Sequence, residues 1–206
     1  NGTSDFIQTA NPFSHTNHTI AAWVYANDDA TNKMFFDARD ASDDGILFNV
    51  NTTEGVRYSV NASDVDSTTT HADEWVYIVG TYDGTTQRLY IDGSQNNSAT
   101  TSQTISTTTD ARIGAQSYSL ANYFNGNLAN VAIWNRALTS DEINSVMWKP
   151  VQALTATESN GLQAWYSLDD IASPTASLAS MEQLATDKDV TIENKAAITA
   201  AINQLS

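Results

Sequence analysis

The stretch from Glu74 to Ile91, EWVYIVGTYDGTTQRLYI, restricts the fold of this chain more than any other. Apolar and polar residues alternate through Trp75, Ile78, Tyr82, Leu89 and Ile91, with Asp83-Gly84-Thr85-Thr86 between the two halves and Asp92-Gly93 after the second. Alternation at period two on both sides of a glycine-containing turn is the pattern of a β-hairpin. The remaining segments are expected to pack around it.

Thr19 to Tyr25, TIAAWVY, has the β-branched and aromatic enrichment of a buried strand, which makes Trp23 a core residue. Lys33 to Asp37, Gly45 to Val50 and Gly55 to Val60 read as three further short strands, separated by loops rich in Asp, Ser, Asn and Gly. Closely spaced short strands with intervening turn signals indicate an all-β sandwich. Gln95 to Thr109 is a Ser/Thr/Asn-rich tract that reads as an exposed strand and loop, and Ala111 to Tyr118 as another strand. In Phe124 to Leu138, FNGNLANVAIWNRAL, the residues Leu128, Val131 and Ile133 share one face only if a bulge lies near Ala129-Asn130. Thr139 with Glu142 three residues on is a capping box. It opens a helix whose apolar stripe is Ile143, Val146 and Met147 and which ends near Trp148. Leu162 to Leu168 reads as a last strand. From Ser177 onward alanine, leucine and isoleucine take roughly helical spacing, which predicts a tail that docks on the sandwich or on another chain.

Three segments carry a family resemblance. W-V-Y-I-V-G-T-Y-D-G followed by L-Y-I-D-G, T-I-A-A-W-V, and F-N-G-N-L-A-N-V-A-I-W-N-R-A-L with a helix directly after it resemble the LamG-like jelly rolls of the concanavalin A-like lectin/glucanase superfamily. The likeness covers roughly residues 1 to 148 and extends more loosely to 170. It implies an all-β, two-sheet antiparallel jelly-roll sandwich with one short helix over residues 1–170, and a C-terminal helical tail over 171–206 as an assembly or docking segment. Asn1 to Ile7 resembles only the later part of the family's opening strand, so the chain is expected to begin inside a larger polypeptide.

Composition narrows the function. The chain carries 24 acidic against 9 basic residues, a formal charge of -15, which repels phosphate backbones and anionic lipid. Neither nucleic acid nor a membrane surface is an expected partner. No apolar run approaches the ~20 residues that span a bilayer. With no cysteine, disulfides and thiolate metal sites are excluded.

Glucanases of the superfamily place carboxylates on one strand as E-x-D-x-E or E-x-D-x-x-E, because retaining hydrolysis needs two of them about 5 Å apart. Here Glu54, Glu74, Glu142, Glu158, Glu182 and Glu193 occur singly, so no enzyme activity is expected. The pair His15-x-x-His18, with His71 as a third ligand, lies on no predicted helix and has no acidic partner beside it, so these histidines read as polar loop residues. Calcium is the cofactor to weigh, because Asp37, Asp40, Asp43 and Asp44 crowd the segment DARDASDDG and hard cations take clustered carboxylates. A solvated hairpin loop is the plainer reading. The acidic residue through which many of these jelly rolls hold structural calcium is replaced by Ala129, beside Asn130, which leaves Asp5 a turn residue. For sugar stacking, Tyr58, Tyr90, Tyr118 and Tyr123 are the candidate aromatics.

Two functions are implied by the resemblance. The first is a non-catalytic structural or adhesion module of a larger assembly, a virion protein such as a capsid decoration or tail fibre, or a bacterial surface protein, with other subunits as partners. The alternative is a carbohydrate-binding lectin module, appended to a glycoside hydrolase or free-standing. Both place the chain on an extracellular, cell-surface or virion exterior.

Overall fold

The computed structural model describes residues 4–10, 16–27, 32–51, 55–105 and 110–168. The expected helical tail, residues 171–206, lies outside them, as do His15, Glu54, Glu182 and Glu193. In chain order the strands are β1 (Ile7–Thr9), β2 (His18–Ala26), β3 (Lys33–Arg39), β4 (Gly45–Val50), β5 (Gly55–Val60), β6 (Ser63–Thr70), β7 (Trp75–Tyr82), β8 (Thr86–Ile91), β9 (Ser94–Thr100), β10 (Ala111–Ile113), β11 (Gly126–Trp134) and β12 (Leu162–Tyr166). They form two six-stranded sheets, one ordered β1-β10-β3-β4-β5-β6 and the other β12-β11-β2-β7-β8-β9. All paired strands within the sheets run antiparallel.

The central hairpin forms as β7 and β8, with Ile78 opposite Ile91 and Tyr82 opposite Gln87. Its position inside the second sheet buries both of its faces. Val76, Ile78 and Tyr82 enter the sandwich interior, whereas Tyr77 and Val79 face the opposite way. Strand β2 divides likewise, with Ile20, Ala22 and Val24 inward and Ala21 and Trp23 outward, which explains its uninterrupted apolar run. The outward set is covered by α1 (Ser140–Val146) through Ile143, Val146 and Met147. Thr139 and Glu142 form the expected capping box, and the Trp23 indole donates to the Met147 carbonyl at 3.1 Å. The bulge falls between Ala129 and Ala132, with Asn130 at φ 49°, and it brings Leu128, Val131 and Ile133 to the interior. Strand β12 closes the second sheet beside β11.

Three boundaries differ from expectation. The sequence pattern gives no sign of β6, because only Val65 of SDVDSTTT reaches the core. That strand is held at the sheet edge by Arg57, whose guanidinium reaches Asp64 at 2.9 Å and Asp66 at 2.8 Å. Strand β1 is Ile7–Thr9, and Ser4, Asp5 and Phe6 before it are outside the strand. Strand β10 stops at Ile113, and the chain beyond it turns into a loop.

Candidate functional site

The loop 114–123 begins at Gly114, whose φ of 89° turns the chain and where a side-chain Cβ would stand 3.2 Å from the Asp5 carbonyl oxygen. The loop folds back over the outward side of β3. The Ser117 amide donates to Asp37 Oδ2 at 3.2 Å, and the Ser117 hydroxyl donates to the Arg39 carbonyl. Arg112, projecting from β10, donates from Nη1 to the carbonyls of Gln116 at 2.6 Å and Ser119 at 3.0 Å. Inside the loop, the Ser119 hydroxyl and the Asn122 amide both donate to Gln116 Oε1, at 3.0 and 3.1 Å. The loop is therefore fastened from below by side chains of two strands.

This fastening presents aromatic rings to solvent. Tyr118 is 41% exposed with the Arg39 guanidinium 5.7 Å from its ring centre, and Leu120 beyond it is 64% exposed. Phe6, just before β1, is 37% exposed; the Arg112 guanidinium lies 5.1 Å from its ring centre and half-buried Tyr123 lies 6.2 Å away. Gln8 pairs with Arg112 across β1 and β10, so Phe6 and Gln8 share the side of the sheet that carries Arg112, and Ile7 points the other way. All four large apolar side chains that stand exposed among the described residues, Phe6, Ile7, Tyr118 and Leu120, belong to this edge.

Of the expected aromatics, Tyr118 and Tyr123 come to this rim. Tyr58 and Tyr90 do not. Tyr58 is fully buried between the sheets, stacked on Phe48 at 4.7 Å, and Tyr90 is buried on the side covered by α1. The Tyr58 hydroxyl donates to His18 Nε2 at 2.7 Å, while His18 Nδ1 donates to the Thr16 carbonyl at 3.1 Å. Burial lowers the His18 pKa to about 4, with the Thr16 contact opposing.

The aspartates of the segment DARDASDDG make contacts within the chain. Asp37 is buried and takes two guanidinium bonds from Arg39, Nε to Oδ1 at 3.0 Å and Nη2 to Oδ2 at 3.1 Å. Asp43 takes a third, from Arg39 Nη1 at 2.7 Å. Asp40 Oδ1 accepts the Ser42 and Asp44 amides and caps its own turn, and Asp44 is exposed. Among the described residues no three His, Cys, Asp or Glu side chains are grouped to hold a metal ion. Of the calcium candidates Asp37, Asp40, Asp43 and Asp44, the structure places Asp37 and Asp43 against Arg39 and divides the four between a strand face and a turn.

The described glutamates are equally dispersed. Glu74 meets His71 Nδ1 at 2.9 Å, Glu142 pairs with Arg136 at 2.8 Å, and Glu158 accepts from Lys149 at 2.6 Å and the Ser145 hydroxyl. Although burial opposes it, those bonds hold the Glu158 pKa at about 2.

Phe6, Arg39, Arg112 and Gln116 were not legible as site residues in the sequence. The pairing of β1 with β10 and of β10 with β3 brings them together, and no local pattern encodes those contacts.

A family model described as the concanavalin A-like lectin/glucanases superfamily matches residues 1–144. Among solved structures, a Bacteroides ovatus protein assigned a carbohydrate-binding role superposes with a TM-score of 0.63 at 13% identity, over 82% of this chain and 51% of its own. This chain thus spans about half of that protein's length. The heptameric SAP-like pentraxin of Limulus polyphemus gives 0.56 at 15% identity, covering 81% and 87%. Domain 4 of a GH43 extracellular arabinanase from Geobacillus stearothermophilus, in complex with arabinotriose, gives 0.53 at 16% identity, covering 68% and 71%. Such identities establish a shared fold. No curated protein matches the chain.

Proposed function

The chain belongs to the concanavalin A-like lectin/glucanases superfamily, and from that premise we propose that it is a non-catalytic carbohydrate-binding module whose contact surface is the Phe6–Tyr118 rim. The observation that carries this reading is the convergence of exposed rings with a hydrogen-bonding loop at one sheet edge. Sugars are bound by stacking their apolar ring faces on aromatics while nearby amides and hydroxyls meet their hydroxyl groups. Two of the structural neighbours support the proposal: the Bacteroides ovatus protein is named for carbohydrate binding, and the arabinanase domain is in complex with arabinotriose.

This reverses the order of the two expectations drawn from the sequence. One support of the virion or surface-scaffold reading, the apolar helical tail, lies outside the described residues. A secreted or cell-surface location belongs to the proposal. No helix among the described residues is long and apolar enough to cross a membrane. The test is a glycan microarray probed with the purified chain, followed by a reducing-end assay on each glycan that binds. Retention of at least one glycan class without new reducing ends is expected. A blank array overturns the binding proposal, and steady release of reducing ends overturns the non-catalytic one.

A further inference from the structure

We infer that the rim takes a neutral oligosaccharide of at least two sugar units, with Phe6 and Tyr118 as separate stacking platforms and Arg112 as the strut between them. The inference rests on the carbohydrate-binding proposal and specifies its ligand.

Charge decides the first half. A site for uronates, sialic acid or sulfated sugars needs a guanidinium or ammonium free to face the anion. Arg39 has three of its nitrogens committed to Asp37 and Asp43. Nη1 of Arg112 is committed to two carbonyls of the loop it supports. Around them stand further carboxylates: Asp5 precedes Phe6, and Asp110 accepts from Gln8 at 2.5 Å. The whole chain carries -15 besides. Arg112 lends the rim one guanidinium, with its Nε buried, and beyond it an anionic ligand would meet the net negative charge of the chain, whereas a neutral sugar meets rings flanked by the uncharged amides of Gln8, Gln116 and Asn122 and the hydroxyl of Ser119.

Geometry decides the second half. The two exposed rings stand on different elements, Phe6 at the entry to β1 and Tyr118 in the loop after β10. Arg112 touches both supports, lying 5.1 Å from the Phe6 ring centre and donating to the carbonyls on either side of the Ser117–Tyr118 step. A monosaccharide covers one ring. A longer chain has a second ring to meet, and because Arg112 contacts both supports, little ordering is required when the ligand arrives.

The experiment is a microarray that contains neutral glycans of increasing length alongside uronate, sialylated and sulfated glycans. It is probed with the full chain and with Tyr118→Ala and Phe6→Ala, each checked for folding by circular dichroism. Expected are hits among neutral glycans longer than one unit, insensitive to sodium chloride and weakened roughly tenfold or more by either substitution, as for an anchor residue at an interface centre. Hits confined to anionic glycans and abolished by salt would overturn the neutral assignment while leaving carbohydrate binding intact. Neutral hits unaffected by both substitutions would overturn the placement of the site at this rim. Tight binding of monosaccharides lost only in Tyr118→Ala would overturn the two-platform arrangement, and an array blank throughout would remove the underlying carbohydrate reading.

Discussion

Arg39 is what allows the Asp37 carboxylate to sit fully buried on the outward side of its sheet, and the pair in turn sets the floor under Tyr118. Removing one member of a buried pair strands the other charge, which costs about 3–5 kcal/mol. Asp37→Ala is therefore expected to lower the unfolding free energy by about that amount in denaturant titrations, whereas Asp43→Ala, at the exposed end of the same guanidinium, costs no more than about 1 kcal/mol. His18 gives a second residue-level prediction. Its folded pKa of about 4 lies below the ordinary histidine value of 6.5, so between those values the unfolded chain binds the extra proton. Stability is then full above pH 6.5 and falls toward pH 4, by on the order of 3 kcal/mol. The Glu158 contribution has a different window. Its pKa is lowered from 4.5 to about 2, so its share is present above pH 4.5 and is lost below. Urea unfolding between about pH 4.5 and 7 should slope for the natural chain and flatten in His18→Gln. An unchanged slope would assign the dependence to other groups. The same residues show what the sequence discloses of the site. Tyrosines at strand positions and an acidic cluster were visible, but whether a tyrosine is solvent-exposed depends on which other element covers its face. Nothing around Tyr58 separates it from Tyr118 in that respect until the second sheet lies over it.

At the scale of elements, the central hairpin contains a glycine that its turn does not require. Gly80 lies within β7, and a side chain there would run into the Phe48 ring and come within 2.9 Å of the Tyr58 ring. Those two rings are stacked 17° from parallel, so β7 is bare where the opposite sheet is thickest. Overpacking a filled core costs about 1–3 kcal/mol, and Gly80→Ala is expected to reach the upper part of that range, measured as a lowered thermal midpoint. If a variant with Phe48→Leu added recovers part of the loss, the collision with the ring is the cause. Elements buried on both faces, β2 and β7, were the most legible, because a short apolar run rich in β-branched and aromatic residues fits little besides a strand covered on two sides. Edge strands were the least. Strand β6 is polar along most of its length and is held by Arg57 to Asp64 and Asp66, and its backbone meets the second sheet where Asn97 donates to the Asp66 carbonyl and Thr68 donates to Asn96. Contacts of that kind leave no periodic trace in a sequence. The helix, by contrast, announced itself through its capping box, which depends on two residues three apart and nothing distant.

For the whole molecule the dominant electrostatic fact is the excess of 24 acidic over 9 basic residues. Arg39, Arg57, Arg88 and Arg136 each pair with a carboxylate, and many more carboxylates remain than there are cations to meet them. Salt acts on the two populations in opposite directions. It weakens the exposed pairs, each worth about 0–1 kcal/mol, and it screens the mutual repulsion that compaction imposes on the remaining acids. Arg39 and Asp37 are buried and hardly respond. At about 0.1 M the screening length falls to about 10 Å, shorter than most separations across a domain of this size, so the long-range repulsion is removed before the short-range pairs are lost. The thermal midpoint at neutral pH is accordingly expected to rise as sodium chloride increases from about 0.01 M to about 0.5 M. A falling midpoint would mean that the surface pairs contribute more than the repulsion they offset. Measured over the same range, the affinity for a neutral glycan should stay level, because no charge is exchanged at the Phe6–Tyr118 rim. Stability that climbs with salt while affinity does not would separate the charge that shapes the whole molecule from the uncharged contacts that recognise its ligand.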